Sequence, residues 1–261
     1  KRLVQLSYSA GMSRQKILIT GASSGLGAGM ARQFAAKGRD LALCARRLDN
    51  LDELKAELTA RHPGITVAIA ALDVNDHDQV PKVFAELSEE IGGLDCVIVN
   101  AGIGKGYPLG GGKLWANKAT IETNLVAALV QIETALEVFN ASGSGHLVLV
   151  SSVLGNVGVP GVKAAYSASK AGVTSLGQSL RAEYPSSGPI KVTVLEPGYI
   201  ESEMTAKSNS TMLMVDNETG VKAMVEAIEK EKGRAVVPAW PWWPLVEVMK
   251  LLPPRLTKRF A

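Results

Sequence analysis

Short apolar runs alternate along this chain with longer stretches of helical spacing, and that alternation limits the fold more than any other feature. The runs fall at about 16–20, 41–45, 65–70, 95–99, 146–150, 190–195 and 234–237. Several, such as Val97-Ile98-Val99 and Leu147-Val148-Leu149-Val150, are almost continuously apolar, as strands buried on both faces must be. Between them, Asp49 to Arg61 carries Leu51, Leu54 and Leu58 at helical spacing and stops before His62-Pro63-Gly64, a breaker cluster. Longer helices are expected from about 113 to 139, with a bend, and from 164 to 183. The pattern predicts an α/β domain with a parallel sheet covered by helices on both faces. With 46% hydrophobic and 20% charged residues in 261 positions, the chain can bury a large core. The formal net charge of +3 is too small for a nucleic-acid surface, which needs many clustered phosphate contacts.

The first strand runs directly into Thr20-Gly21-Ala22-Ser23-Ser24-Gly25-Leu26-Gly27, and a helix follows. Glycines at 21, 25 and 27 allow a tight turn, a close approach to a pyrophosphate and close helix–sheet packing, while the helix N-terminus favours an anion. Such a triple is weak by itself; its place between the first strand and the first helix makes it a dinucleotide signal. At the end of the second strand, where a carboxylate would accept from the ribose 2′-hydroxyl, the chain has Ala45-Arg46-Arg47. An acid there repels a 2′-phosphate, whereas a guanidinium pairs with it. NADP(H) is therefore the expected cofactor; a solvated arginine pair ending the strand is the plainer alternative.

Further along come Asp73-Val74, Asn100-Ala101-Gly102, Asn124, Ser151-Ser152, Tyr166-Ser167-Ala168-Ser169-Lys170 and Pro197-Gly198. In this order, and with the glycine run, they resemble the short-chain dehydrogenase/reductase family in its compact single-domain branch, over residues 16 to 237. The resemblance implies a Rossmann-type doubly wound sheet and hydride transfer between nicotinamide and a carbonyl/secondary alcohol pair. It implies Ser152, Tyr166, Lys170 and Asn124 as the catalytic set. Ser152 would orient the substrate oxygen, and Asn124 would disturb its helix and hold a water linked to the lysine. On the cofactor side it implies Gly21, Ser23, Ser24, Gly25, Leu26 and Gly27 around the phosphates. Asp73 and Val74 would lie near adenine, Asn100, Ala101 and Gly102 near the ribose, and Pro197, Gly198, Ile200 and Ser202 near the carboxamide. Two departures stand out. Ser152 and Tyr166 are 14 positions apart, one more than the family spacing, which keeps Ser151 as a minor candidate. Ser202 replaces the usual threonine and retains the hydroxyl.

Tyr166 and Lys170 lie four apart and so share one helix face. A phenol titrating near 10 is a poor base at neutral pH, and a neighbouring ammonium lowers that value, so Lys170 is expected to tune Tyr166 as well as to hold the nicotinamide ribose.

Substrate identity is less legible. Residues 201–217 contain Met204, Met212, Leu213 and Met214, resembling the family's substrate loop, and Gly104 to Leu114 is a candidate opposing wall. Methionines suit an adaptable apolar pocket, so an apolar or bulky ketone or aldehyde is expected. The alternative function is a catalytically silent NADP-binding regulator on the same fold.

The chain divides into an extension at 1–11, one domain at 12–239 and a Trp/Pro-rich tail at 240–261. Residues 245, 248, 249 and 252 of the tail share a helical face, and Lys258 and Arg259 make its end basic. That face can cover the active-site mouth, pack on the body or on a second copy, or rest on a membrane surface. Residues 1–11 hold no apolar core of signal-peptide length, so a cytoplasmic protein with reduced Cys44 and Cys96 is expected, as is no metal. The helix from 113 to 139 carries Trp115, Ile121, Leu125, Leu129, Ile132 and Leu136, more apolar positions than one sheet-facing stripe needs. With the helix from Ala164 it resembles the family's subunit contact, implying a homodimer or homotetramer.

Overall fold

The structure, a computed structural model, describes residues 14–205, 213–251, 253 and 256. The proposed extension at 1–11, Met212 and the tail residues Leu252, Lys258 and Arg259 lie outside the described residues. Seven strands form one parallel sheet: β1 Lys16–Thr20, β2 Asp40–Ala45, β3 Val67–Ala71, β4 Cys96–Val99, β5 Gly145–Val150, β6 Ile190–Pro197 and β7 Arg234–Val237. Their order is β3-β2-β1-β4-β5-β6-β7. The chain winds outwards from β1 in one direction and from β4 in the other, so a crevice opens between these strands at their C-terminal ends.

Alternate residues of each strand feed opposite cores, which is why the strands read as unbroken apolar runs. Ile17, Ile19, Leu41, Leu43 and Ile98 face α1 (Gly25–Ala35), α2 (Leu48–Arg61) and α7 (Asn217–Glu229). Leu18, Ala42, Cys44, Val97 and Leu149 face α3 (Gln79–Glu90), α5 (Ala127–Ser142) and α6 (Ala164–Glu183). Both cysteines are buried and free; burial pushes the Cys44 thiol up to about 12, so it packs as a small hydrophobe.

The helix expected from 113 to 139 is divided. It comprises α4 (Leu114–Ile121), a π-helical turn Glu122–Val126, and α5. By length and composition this stretch could cross a membrane, and it is part-buried: α5 packs on β4, β5 and α3, and α4 on α6. Ile132 and Leu136 are buried in it, whereas Trp115 and Leu129 are exposed.

The tail forms α8, Ala239–Leu251, with Trp240 non-helical. Leu245 and Met249 of the expected face pack on the body, and Val248 does not. Trp242, Val246 and Met249 are buried against Val153, Leu154, Val159 and Val236, while Val248 is exposed. The buried face is centred on Trp242, with Val246 and Met249 one and two turns further on.

Candidate active site

A cleft of about 560 Å³ opens over the crevice between β1 and β4. Gly21, Gly25 and Gly27 form its floor. Gly25 has φ +54, a left-handed conformation that favours glycine. A Cβ on Gly27 would fall far inside van der Waals contact with Gly21 O and Ala22 Cα, so α1 sits against the loop only because that side chain is absent. Ser24 stands at the α1 N-cap without capping it by its side chain, which leaves that hydroxyl to other partners.

Asn100 joins β4 to this floor. Its Nδ2 donates to Thr20 O at 2.8 Å, and Thr20 Oγ1 accepts from the amides of Asn100 and Ala101, each at 3.0 Å. Of the two arginines after β2, Arg47 turns to the glycine loop: it donates to Ser23 Oγ at 3.3 Å and to Ser24 Oγ at 2.6 Å. Arg46 is exposed on the cleft's rim. Asp73 Oδ1 accepts from the amide and the side chain of Asn75 at 3.0 and 2.9 Å, and Val74 is buried beside it.

At the other end of the cleft stand Ser152, Tyr166 and Lys170. Ser152 is the N-cap of a short 3₁₀ turn and accepts from the amide of Leu154 at 3.2 Å. Lys170 Nζ donates to Val150 O at 2.8 Å and lies 6.0 Å from the centre of the Tyr166 ring. Burial lowers the Lys170 ammonium to about 8. Burial also holds the Tyr166 hydroxyl above its ordinary value, with a hydrogen bond to Ser152 pulling it back. The expected depression of the Tyr166 pKa is therefore not found: desolvation outweighs the hydrogen bond to Ser152.

Asn124 sits in the π-helical turn. Its Oδ1 accepts from Ile103 N at 2.8 Å, and its Nδ2 donates to Ile103 O at 2.9 Å and to Ser169 Oγ at 3.2 Å. The side chain thus copies a strand neighbour, holding the segment after β4 against α6. The turn fits the helix disturbance expected at Asn124. A Cβ on Gly102 would lie 3.2 Å from Asn124 Oδ1 and 3.6 Å from Lys170 Nζ, so a glycine keeps this corner open.

All nineteen sequence-predicted cofactor residues, from Gly21 through Ser202, line this one cleft, while Asn124 stands behind the lining. Pro197 and Gly198 close the β6 side, where Gly198 N donates to Val237 O at 2.9 Å. Ile200 is buried in a bridge to Val215, and Ser202 N donates to Thr205 Oγ1 at 2.8 Å. The two walls expected around the substrate do approach: Gly104 packs against Met204. Asn75 and Thr123, which sequence reasoning missed, also line the cleft, as do Lys105 and Glu203, which fall within the two expected walls but were not singled out. A single polar residue, in a loop or within the π-helical turn that holds Thr123, leaves no periodic signal.

Together the glycine floor, the open corner at Gly102 and the uncapped α1 terminus fit a dinucleotide lying across the sheet's switch point. The family description that matches residues 15–213 is short chain dehydrogenase. An uncharacterised oxidoreductase of Mycobacterium tuberculosis is 79% identical over 96% of this chain and 99% of its own length. The cis-4-hydroxycyclohexanecarboxylate dehydrogenase of Sinomonas cyclohexanicum is 35% identical over 72% of this chain and 74% of its own. A short-chain dehydrogenase/reductase from Burkholderia phymatum, solved in complex with NAD, superimposes with a TM-score of 0.79 at 20% identity, covering 90% of this chain and 92% of that one. Matched family, relatives and fold agree with the cleft, and the chain belongs to the short-chain dehydrogenase/reductase family of oxidoreductases.

Proposed function

We propose that the protein is an NADP(H)-dependent reductase of an apolar or bulky ketone or aldehyde, with Tyr166 as general acid/base. The observation that carries the reading is the length of one cleft with Arg46 and Arg47 at one end and Ser152, Tyr166 and Lys170 at the other. A 2′-phosphate at the first end meets guanidinium donors and no carboxylate at the β2 terminus. The bound cofactor supplies the hydride.

The chain's own residues supply the proton and the geometry. Ser152 holds the substrate oxygen by hydrogen bonding, and Tyr166 O–H donates its proton to that oxygen during reduction or recovers it during alcohol oxidation. Tyr166 being held protonated by burial suits the donating direction. Lys170, buried and four residues along the same face, presents an ammonium beside the phenol that favours the phenolate left behind. Asn124 fixes the Ile103 backbone across from it. Gly104, Met204 and the neighbouring loop form an adaptable apolar wall for the substrate. The 35% identical relative named for a cyclic alcohol substrate supports carbonyl/alcohol chemistry over a silent regulator. The same reading has a single catalytic domain, a homo-oligomeric assembly and a cytoplasmic location.

The test is a titration with NADPH and with NADH, followed by a panel of cyclic and aromatic ketones and aldehydes monitored by loss of reduced cofactor. Tighter NADPH binding and turnover abolished in Tyr166→Phe are expected. Tight binding with no turnover across the panel favours the regulator, and a preference for NADH overturns the role of the arginines.

A further inference from the structure

The carboxylate of Glu203 sits at the anion-binding end of the cleft. Its oxygens accept from Arg47 at 3.0 and 3.2 Å and from Ser24 Oγ at 3.0 Å. Arg47 and Ser24 are themselves joined at 2.6 Å, so the three side chains form one closed triangle across the glycine loop. Glu203 comes from the far side of the cleft, after β6, in the turn where Ser202 and Thr205 bond each other. A negative group from the substrate side thus reaches over the glycine loop and bonds both the helix-terminal hydroxyl of Ser24 and the Arg47 guanidinium.

An arginine fork and a serine hydroxyl at a helix N-terminus recognise phosphate oxygens by the same geometry. A carboxylate and a phosphate monoester cannot share those donors, because their like charges would lie within a few ångströms of each other. Resting on the NADP(H) reading above, we propose that Glu203 is a specificity-determining residue that competes with the cofactor's 2′-phosphate for Arg47 and Ser24. The cofactor's phosphate must therefore displace Glu203, and the residue weakens binding of the 2′-phosphorylated dinucleotide. Displacement also frees the Ser202–Thr205 turn at the substrate wall from its tie to the glycine loop, so occupancy at one end of the cleft alters restraint on the other. The lowered pKa of Glu203, caused first by Arg47 and then by Ser24, keeps the competitor ionised at neutral pH.

Both side chains are well exposed, Arg47 at 47% and Glu203 at 63%, so the competition is modest, about two- to fivefold in affinity. Calorimetric titration of wild type, Glu203→Gln and Glu203→Asp with NADPH, NADH and adenosine 2′,5′-bisphosphate reads it directly. Glu203→Gln is expected to tighten NADPH and the bisphosphate about two- to fivefold, to tighten NADH less, and to keep the wild-type melting temperature; Glu203→Asp stays closer to wild type. Unchanged or weaker binding of the bisphosphate in Glu203→Gln overturns the proposal. Equal tightening of NADH and NADPH, with the bisphosphate unmoved, overturns the assignment to the 2′-phosphate. Failure of the NADP(H) reading shows separately, as a wild-type preference for NADH, and the bisphosphate then still decides the role of Glu203.

Discussion

Ser151 Oγ donates to the carbonyl oxygen of Lys170 at 2.9 Å and shares a hydrogen bond with Thr174 Oγ1 at 2.7 Å. The first of the two adjacent serines therefore faces the α6 backbone, and the second faces Tyr166. Ser152→Ala is expected to lower kcat by on the order of 100-fold or more and, with its cap on Leu154 N lost, to cost about 1 kcal/mol of stability. Ser151→Ala is expected to keep turnover and lose about 1 kcal/mol of stability. Steady-state kinetics of both variants distinguishes them, and loss of turnover in Ser151→Ala alone would transfer the substrate-orienting role to Ser151.

The Lys170 ammonium, lowered to about 8 by burial, loses its charge within an accessible pH range. Below that value the group is charged and supports the phenolate of Tyr166; above it the support is withdrawn. In kcat/KM, which reports groups of the enzyme before substrate binds, an alkaline fall is expected near pH 8. Lys170→Arg, whose guanidinium stays protonated, should remove that limb whatever its effect on the absolute rate. A profile with the same alkaline limb in the variant would assign it to another group.

His146 is buried in β5 with Nε2 2.7 Å from Thr193 Oγ1, and burial pushes its pKa down to about 3. Because the folded pKa lies below the unfolded one, the unfolded chain binds the extra proton. Stability is complete above about pH 6.5 and falls as pH drops towards 3, by roughly 1 kcal/mol per pH unit from this group alone. Denaturant titrations between pH 7 and 4 should show a shallower acid slope in His146→Gln than in wild type.

Glu196 is fully buried at the end of β6 and bound by Arg234 at 2.8 Å on both oxygens, with Asn156 donating at 2.9 Å. Arg234→Met strands that carboxylate and should cost about 3–5 kcal/mol. The double variant Arg234→Met/Glu196→Leu should recover much of the loss, as chemical denaturation can measure. Since Asn156 belongs to the turn that begins at Ser152, Arg234→Met should also lower kcat.

Gly27→Ala forces a Cβ against Gly21 O and Ala22 Cα, backbone atoms that cannot swing aside. Overpacking here should destabilise the fold by about 1–3 kcal/mol and weaken dinucleotide binding, readable by thermal melt and calorimetry on one sample.

Much of this architecture is legible from the chain because both faces of the sheet are covered. Strands such as Leu147 to Val150 then need no polar face, and their apolar runs mark them out. The glycine loop is legible for a different reason: steric exclusion at Gly27 and left-handed backbone at Gly25 leave few alternatives. The helix from 113 was expected to bend, but the π-helical form of the bend at Asn124 depends on the Ile103 backbone brought in from β4, which no local pattern encodes. The α8 face was read in part: Leu245 and Met249 pack as expected, whereas the burial of Trp242 and Val246 and the exposure of Val248 follow from where the body presents its apolar patch, which local spacing does not encode. Glu203 escaped notice since its meaning arises only once the turn after β6 lies beside Ser24.

Trp242 packs edge-on against Tyr199 with ring centres 5.4 Å apart, and its indole lies against Gly198. The turn at the end of β6 is thus backed by a residue from the last helix described. A chain emerging from the ribosome has made every strand before it acquires this support. The β6 wall of the cleft is therefore among the last parts to be buttressed, and a nascent chain must wait for α8 before that wall is complete.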